Sequence, residues 1–188
     1  MKTQDTILEK AVELYAQHGY EEFSIRKLAK RIPISHSVLY HYYEDEADIL
    51  RNMFEYANRT LGRLRAELSD KKSAKEMLQQ RIAFQIEHSD LIVAVLKYYL
   101  SHRPQFKKNR KGFVPDKSAL HIEEVLKKGV ATKEFRVYDL EDDAKVITHA
   151  INGFLLEYYP HKPTGREKKL LIRRIYQFVA RALKGGEK

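Results

Sequence analysis

The stretch from Ser24 to Tyr43 constrains this chain most, because it predicts two short helices separated by a tight turn. Ser24 precedes a helix expected over 25–31, and its side-chain oxygen can cap free backbone N–H groups there. Pro33 ends that helix, since proline lacks an N–H donor and disfavours helical conformation in the preceding residue. Ser35 is a second capping candidate, ahead of a helix expected over 36–43. Such a pair has the layout of a helix-turn-helix, although most helix pairs of this kind only pack.

The two faces of the second helix differ in chemistry. Val38, Leu39 and Tyr42 form the expected inward stripe. The opposite face holds small, aromatic and hydrogen-bonding side chains at helical spacing: Ser37, Tyr40, His41 and Glu44. The first helix carries four cations: Arg26, Lys27, Lys30 and Arg31. A polar, aromatic helix supported by a basic one is what DNA reading in the major groove requires.

Composition narrows the class of protein. The 188 residues are 43% hydrophobic and 32% charged, which is typical of a globular chain. The absence of cysteine excludes disulfides and thiolate sites and fits a reducing cytoplasm, where we expect the protein. The start has no apolar signal segment, and the longest aliphatic run, 91–96, is far too short to span a membrane. We therefore expect no membrane partner.

Net charge is +9, but it is unevenly distributed. Residues 1–50 contain six Lys or Arg residues against nine Asp or Glu, a net charge of −3, so the remainder of the chain carries +12. The proposed DNA-reading segment is therefore basic only as a local patch, and the excess positive charge needs another explanation.

Hydrophobic periodicity predicts helices along the whole chain. A first helix containing Ile7 should end at Gly19, where a left-handed residue is favourable. Further helices are expected over about 45–69, 73–89, 91–102, 116–129, 140–159 and 164–184, with capping boxes beginning at Ser73 and Thr164. The last two carry apolar stripes wider than one partner requires, which is compatible either with burial on two sides or with a dimer.

Residues 7–50 resemble the amino-terminal DNA-binding domain of the TetR family of transcriptional regulators. The resemblance is carried by Gly19-Tyr20, by the sequence from Phe23 to Ala29, and by Leu39-Tyr40-His41-Tyr42-Tyr43 before an acidic segment. It departs from the family pattern at Pro33, where the turn usually has Gly, and at 44–46, where a phosphate-binding residue is common.

The resemblance implies an all-α fold with two domains: a three-helix helix-turn-helix domain over 1–47 and a helical ligand-binding and dimerisation domain over 48–188. It also implies a homodimer formed by the last two helices. The helix-turn-helix domains of the two subunits would then lie about 34–36 Å apart and recognise a palindromic double-stranded DNA operator. A repressor released by a small molecule is the expected function. The alternative is a ligand- or protein-binding protein of the same fold with a weakened DNA reader.

The expected DNA contacts divide by role. Hydroxyls or helix N-terminal amides would bind phosphates, Arg26 would contact guanine, and Lys27 would add phosphate attraction. The remaining side chains would lie near the groove, although Tyr42 can equally belong to the core. The full set is Ser24, Arg26, Lys27, Ser35, His36, Ser37, Tyr40, His41 and Tyr42.

The expected effector site uses aromatic and long apolar residues of the middle helices, each of which can also be plain core. The set is Phe84, Val95, Tyr98, Tyr99, Phe106, Ile122, Leu126, Asn152 and Tyr158. The positive charge of this region favours an anionic ligand. A basic loop could hold the phosphates of an acyl-CoA through Lys107, Lys108, Arg110 and Lys111.

An enzyme is the third and weakest alternative. The chain lacks the metalloprotease, phosphate-loop and nucleophile-elbow motifs. Its histidines are scattered, with His88, His102, His121, His149 and His161 in the second domain. We therefore expect no catalytic residues, no metal and no cofactor.

Overall fold

The computed structural model describes residues 3–68, 72–102, 118–159 and 164–183, and these residues form α-helices joined by turns. The first four helices are α1 (Thr3–His18), α2 (Ile25–Ala29), α3 (His36–Tyr42) and α4 (Glu46–Ala66). The others are α5 (Ala74–Glu87), α6 (Ser89–Ser101), α7 (Ser118–Ala131), α8 (Leu140–Tyr158) and α9 (Gly165–Ala182). The described ranges contain no strand, so the all-helical prediction is confirmed for them.

The chain divides into two compact units. The first holds the described residues 3–66 and 90–102, and the second holds 67–68, 72–89, 118–159 and 164–183. The boundary expected after residue 47 separates a DNA-binding segment from a ligand-binding segment, whereas these units are defined by packing. That boundary remains a prediction.

Within the first unit, α1 packs against α4 and α2, and α2 packs against α3. The core is made by side chains that are almost fully buried: Ile7, Leu14, Tyr15, Leu28, Leu39, Ile49 and Met53. Burying each such side chain contributes about 1.5–3 kcal/mol relative to leaving it exposed. This core fixes α2 and α3 on the longer helices.

Within the second unit, α7 packs on α8, and α5 lies against α7, α8 and α9. Leu78, Ile82, Ile122, Leu126 and Ile151 are essentially inaccessible there. The backbone N–H of Arg136 donates to the carbonyl of Leu183 at 2.7 Å, tying the end of α9 to the turn before α8. None of the helices in the described part of the chain is long and apolar enough to cross a membrane.

The helix boundaries follow the sequence signals closely. Gly19 has φ of +76°, and its N–H bonds to the Tyr15 carbonyl, which ends α1. Ser73 with Glu76, and Thr164 with Glu167, form the two expected capping boxes, with both reciprocal hydrogen bonds present. The capping predictions for α5 and α9 are therefore confirmed.

Three local predictions need correction. The helix expected over 25–31 ends at Ala29, because the Arg31 N–H bonds to the Leu28 carbonyl in a tighter turn. The expected inward position of Tyr42 is wrong: Tyr42 is 39% exposed and Tyr43 is buried instead. Tyr43 has left the helix, with φ −137° and ψ 136°, so helical periodicity no longer sets the direction of its side chain. The expected helix through residue 129 continues to Ala131.

Candidate nucleic-acid interface

The N-terminus of α2 is held by two side chains. Ser24 has an extended backbone, and its Oγ accepts a hydrogen bond from the Lys27 N–H at 3.2 Å, as the sequence predicts. The Glu46 carboxylate accepts a second one from the Ile25 N–H at 3.3 Å. α2 is thereby anchored to the start of α4, and Leu28 is fully buried below it.

The acidic segment 44–46 is largely occupied by backbone groups. Asp45 Oδ1 accepts from the Asp48 N–H at 2.7 Å and so caps α4, while Glu46 binds α2. The Glu44 N–H donates to Asp48 Oδ2 at 3.2 Å, and its own side chain is exposed. Two of these three acids therefore act as helix-start acids.

α3 is fixed by a short buried anchor. Leu39 is fully inaccessible and Tyr43 is 2% exposed. Burial raises the pKa of Tyr43 to about 12. Ser35 occupies the N-cap position, but its side chain makes no capping bond; its Oγ instead lies 2.8 Å from that of Ser37.

The outward face of α3 presents the side chains that the sequence assigned to DNA. His36, Ser37, Tyr40 and His41 are all exposed, and Tyr40 is 52% accessible. The rings of His36 and Tyr40 meet edge to face with centroids 5.1 Å apart, and those of His41 and Tyr42 do so at 5.5 Å. One continuous polar and aromatic surface results, with hydroxyl and imidazole groups as donors and acceptors.

The cations of this region differ in availability. The Arg26 side chain is exposed. Lys27 forms an ion pair with Glu22 at 3.6 Å, and Arg31 donates to Gln17 Oε1 at 2.9 Å, which ties it to the end of α1. Arg26 is thus better placed for a base contact than Arg31.

Lys97 on α6 is a structural residue whose role the sequence did not reveal. Its Nζ donates to the Ala16 carbonyl at 2.8 Å and lies 3.4 Å from that of Gln17, at the C-terminal end of α1. Burial lowers the pKa of Lys97, and the Glu22 carboxylate opposes that shift. Its position as the one charge within the apolar run 91–100 was the available signal.

An aromatic cluster extends this connection through the first unit. The Tyr98 ring stacks on Phe54 with centroids 4.6 Å apart and on His102 at 4.0 Å, and it lies 6.2 Å from Tyr15. Tyr20 meets His102 edge to face at 5.3 Å. α6 is therefore joined to both α1 and α4 by rings as well as by Lys97.

The residues predicted to form an effector site fall in both units. The second unit holds Phe84, Ile122, Leu126 and Asn152, all buried, and Tyr158, which is 43% exposed. The first holds buried Tyr98 and half-buried Val95 and Tyr99. Phe106, Lys107, Lys108, Arg110 and Lys111 lie outside the described residues. The single effector site formed by this set remains a prediction.

The interior of the second unit contains polar side chains. All are at most 8% exposed: Arg81, Gln85, Ser89, Ser118, Thr148 and Asn152. Among the described residues, Gln85 Oε1 and Thr148 Oγ1 are buried and have no hydrogen-bond partner. Since an unpaired buried polar atom costs roughly 1–3 kcal/mol, these two atoms are candidates for contact with a polar ligand.

No cluster of three or more metal-ligating side chains occurs within the described ranges. Burial lowers the pKa of His88, and the nearby Lys168 lowers it further against the opposing effect of Glu87. The His88 side chain is half-buried, and its ring lies 4.7 Å from that of Phe84.

Residues 7–53, which contain both helices of the turn and the start of α4, match the family described as "Bacterial regulatory proteins, tetR family". This segment belongs to the TetR family. The match includes all of residues 7–50, where the sequence resembles the family, so the TetR-family assignment rests on the DNA-reading segment itself.

One relative is the fatty acid metabolism regulator protein of Bacillus subtilis (strain 168), which is 32% identical over 73 residues. The alignment covers 38% of this chain and 38% of that protein, so the chain matches about two fifths of the relative's length.

Solved structures extend the likeness of fold to nearly the whole chain. One is a putative transcriptional regulator from Saccharomonospora viridis in complex with choline, with TM-score 0.71 and 19% identity, covering 97% of this chain and 98% of that one. Another is FadR from Bacillus subtilis in complex with stearoyl-CoA, with TM-score 0.66 and 20% identity, covering 95% and 98%. At these identities the comparison establishes the fold alone.

Proposed function

We propose that this protein is a transcriptional regulator that binds a palindromic DNA operator as a homodimer and is released by a small ligand, acting as a repressor. The observation that carries the proposal is the outward face of α3, where His36, Ser37, Tyr40 and His41 are exposed on a helix anchored by Leu39. TetR-family membership of residues 7–53 supports it.

In this proposal, α3 enters the major groove and α2 lies across the DNA backbone. Ser24, Ser35 and Tyr40 contact phosphates, and Arg26 binds the acceptor edge of a guanine. His36, Ser37, His41 and Tyr42 lie along base edges, and Lys27 adds attraction to the backbone once Glu22 is displaced.

The dimer is proposed to form through the last two helices. Each carries large apolar side chains that its own subunit leaves exposed: Val146, Phe154 and Tyr158 on α8, and Leu170 and Phe178 on α9. The inward stripes of the same helices, such as Ile151 and Ile175, are already buried. A second apolar stripe is therefore available for another copy of the chain, as a four-helix interface requires.

The effector is proposed to have an apolar body and an anionic end, as an acyl-CoA has. Buried Gln85 and Thr148 within the second unit support a polar group entering an apolar interior. Fold alone does not select the ligand, since similar structures hold stearoyl-CoA and choline; the net positive charge of residues 51–188 favours the anion. The dimer is released from the operator if the ligand binds better to a state in which the spacing of the two helix-turn-helix domains does not match the DNA half-sites.

Two experiments test these proposals separately. Selection of bound sequences from random duplex DNA at two salt concentrations should yield two half-sites in a palindrome, with affinity falling steeply as salt rises. Weak, sequence-independent binding would support the alternative of a ligand- or protein-binding protein of the same fold. Calorimetry with an acyl-CoA and with a neutral hydrophobe tests the ligand; binding of the neutral compound alone would exclude the anionic class.

A further inference from the structure

A groove of about 500 Å³ lies between α5 and α9 in the second unit, and none of the side chains assigned to the effector lines it. Its α5 wall is made by Glu76, Gln79, Gln80 and Ala83, which repeat at helical spacing, with Lys72 just before the helix. Its α9 wall is made by Lys169, Ile172 and Arg173. The groove is therefore lined by three cations, two amides, one carboxylate and the apolar side chains of Ala83 and Ile172.

The helix that forms the second wall has the largest net positive charge among the helices that the structure describes. α9 has six basic residues and one acidic residue, and so it holds more than half of the protein's net charge of +9. Its single acid, Glu167, is occupied in the capping box with Thr164. Two of these six bases, Lys169 and Arg173, line the groove.

The groove cations are available for binding. Within the described part of the chain, no ion pair engages Lys72, Lys169 or Arg173. Lys128 Nζ donates to the Lys72 carbonyl at 2.6 Å, which places a further ammonium group at that end. The one acid in the lining, Glu76, accepts hydrogen bonds from both the N–H and the Oγ of Ser73, at 2.9 and 2.8 Å.

We propose that this groove binds the phosphate groups of a small organic molecule of about nucleotide size. Arg173 offers a planar fork suited to two phosphate oxygens, while Lys169 and Lys72 act as point charges. The amides of Gln79 and Gln80 add neutral donors, and Ala83 with Ile172 contacts the organic part. The volume lies within the range usual for small-molecule sites.

The mixed charges of this two-walled groove favour a small ligand over a nucleic acid. A duplex needs an extended positive surface, whereas here a carboxylate, Glu76, stands among the cations and would face a continuous phosphate backbone. A compact phosphate ester can instead occupy the Lys169 and Arg173 side. The site is independent of the proposed DNA reader, because it needs neither an operator nor an effector.

Calorimetry on the full chain tests the proposal with ADP, inorganic pyrophosphate and uncharged adenosine as probes. ADP and pyrophosphate should bind and adenosine should not, since the charged groups supply the attraction. Replacing Arg173→Gln should weaken ADP binding by at least about tenfold, and Lys169→Gln should also weaken it. Arg174→Gln is the matched control: it removes the same charge from the adjacent residue, which does not line the groove.

Three results would overturn the proposal: no binding of ADP or pyrophosphate, equal loss of binding in Arg173→Gln and Arg174→Gln, or displacement of ADP by random duplex DNA at equal phosphate concentration. The second would indicate attraction by the general positive field, and the third a nucleic-acid surface. Because DNA selection is a separate assay, failure here leaves the regulator proposal unaffected.

Discussion

Lys97 Nζ lies 2.8 Å from the carbonyl oxygen of Ala16, so an ammonium group on α6 caps the C-terminal end of α1. The free carbonyls at a helix end carry partial negative charge, which a cation offsets. Tyr98, the next residue, stacks on Phe54 of α4. Two neighbouring residues of α6 thus hold both long helices behind the proposed DNA reader.

Replacing Lys97→Met should lower the free energy of unfolding by about 1–3 kcal/mol, because it keeps the aliphatic stem but leaves a partly buried carbonyl without its charged donor. Urea unfolding measures this. Lys127→Met, at an exposed position of α7, is the control and should change stability by less than about 0.5 kcal/mol. Equal changes in the free energy of unfolding in both variants would mean that the hydrogen bond from Lys97 to Ala16 does not stabilise the fold.

Gly129 and Gly62 should respond oppositely to the same substitution. A Cβ on Gly129 would overlap the Phe135 ring, whereas one on Gly62 would meet nothing within 4 Å. Gly129→Ala should therefore destabilise the protein by about 1–3 kcal/mol. Gly62→Ala, at an exposed position of α4, should stabilise the protein by about 0.5–1 kcal/mol. Thermal unfolding shows whether each variant is more or less stable than the wild type. Stabilisation by Gly129→Ala would contradict the packing of Phe135 against Gly129.

Glu134 should make stability depend on acid pH. Its carboxylate accepts from the N–H groups of Ala74 and Lys75 at 3.0 and 3.2 Å, and these bonds, with one from Thr132, lower its pKa below the ordinary 4.5. A depressed folded-state pKa means that the contribution is present above the unfolded value and is lost as pH falls through the folded one.

Thermal unfolding of wild type and Glu134→Gln between pH 7 and 3 tests this. The difference in Tm should be largest at neutral pH and should shrink below about pH 4.5, where the wild-type carboxyl gains its proton. Glu123→Gln, in the neighbouring α7, should show no such convergence. A gap between wild type and Glu134→Gln that stays constant with pH would show that charge at Glu134 is irrelevant.

Phe178 tests the proposed dimer. It is 65% exposed on α9, so Phe178→Glu should leave the fold intact while placing a charge in an apolar interface. Sedimentation should show a dimer for wild type and a monomer for the variant, with unchanged helical circular dichroism. Gln177→Glu adds the same charge at the next exposed position and should disturb assembly less. Monomeric wild-type protein would exclude this arrangement.

Signals confined to a few consecutive residues were read correctly from the sequence. Gly19 ends α1, Ser24 caps α2, and Ser73 and Thr164 begin capping boxes, because each depends on bonds within one helical turn. The exposed face of α3 also followed from periodicity, since Leu39 alone decides which side is buried.

Features that depend on distant partners were not predictable. Glu46 binds the Ile25 N–H, and Lys97 binds the Ala16 carbonyl, across 21 and 81 positions of sequence. Tyr43 is buried in place of Tyr42 because the helix ends between them. The groove at Arg173 appears only when α5 and α9 are packed together, although the basic character of α9 is visible in the sequence.

The central claim is that the outward face of α3 reads DNA, and fluorescence anisotropy on the selected operator tests it most directly. The double variant Tyr40→Ala with His41→Ala is compared with Tyr138→Ala with His149→Ala, which removes the same two side-chain types from exposed positions outside the reader. The first variant should lose at least about tenfold in affinity, more for the operator than for scrambled DNA, while the second keeps wild-type binding. Operator affinity unchanged in the first variant, with both proteins folded, would contradict the account.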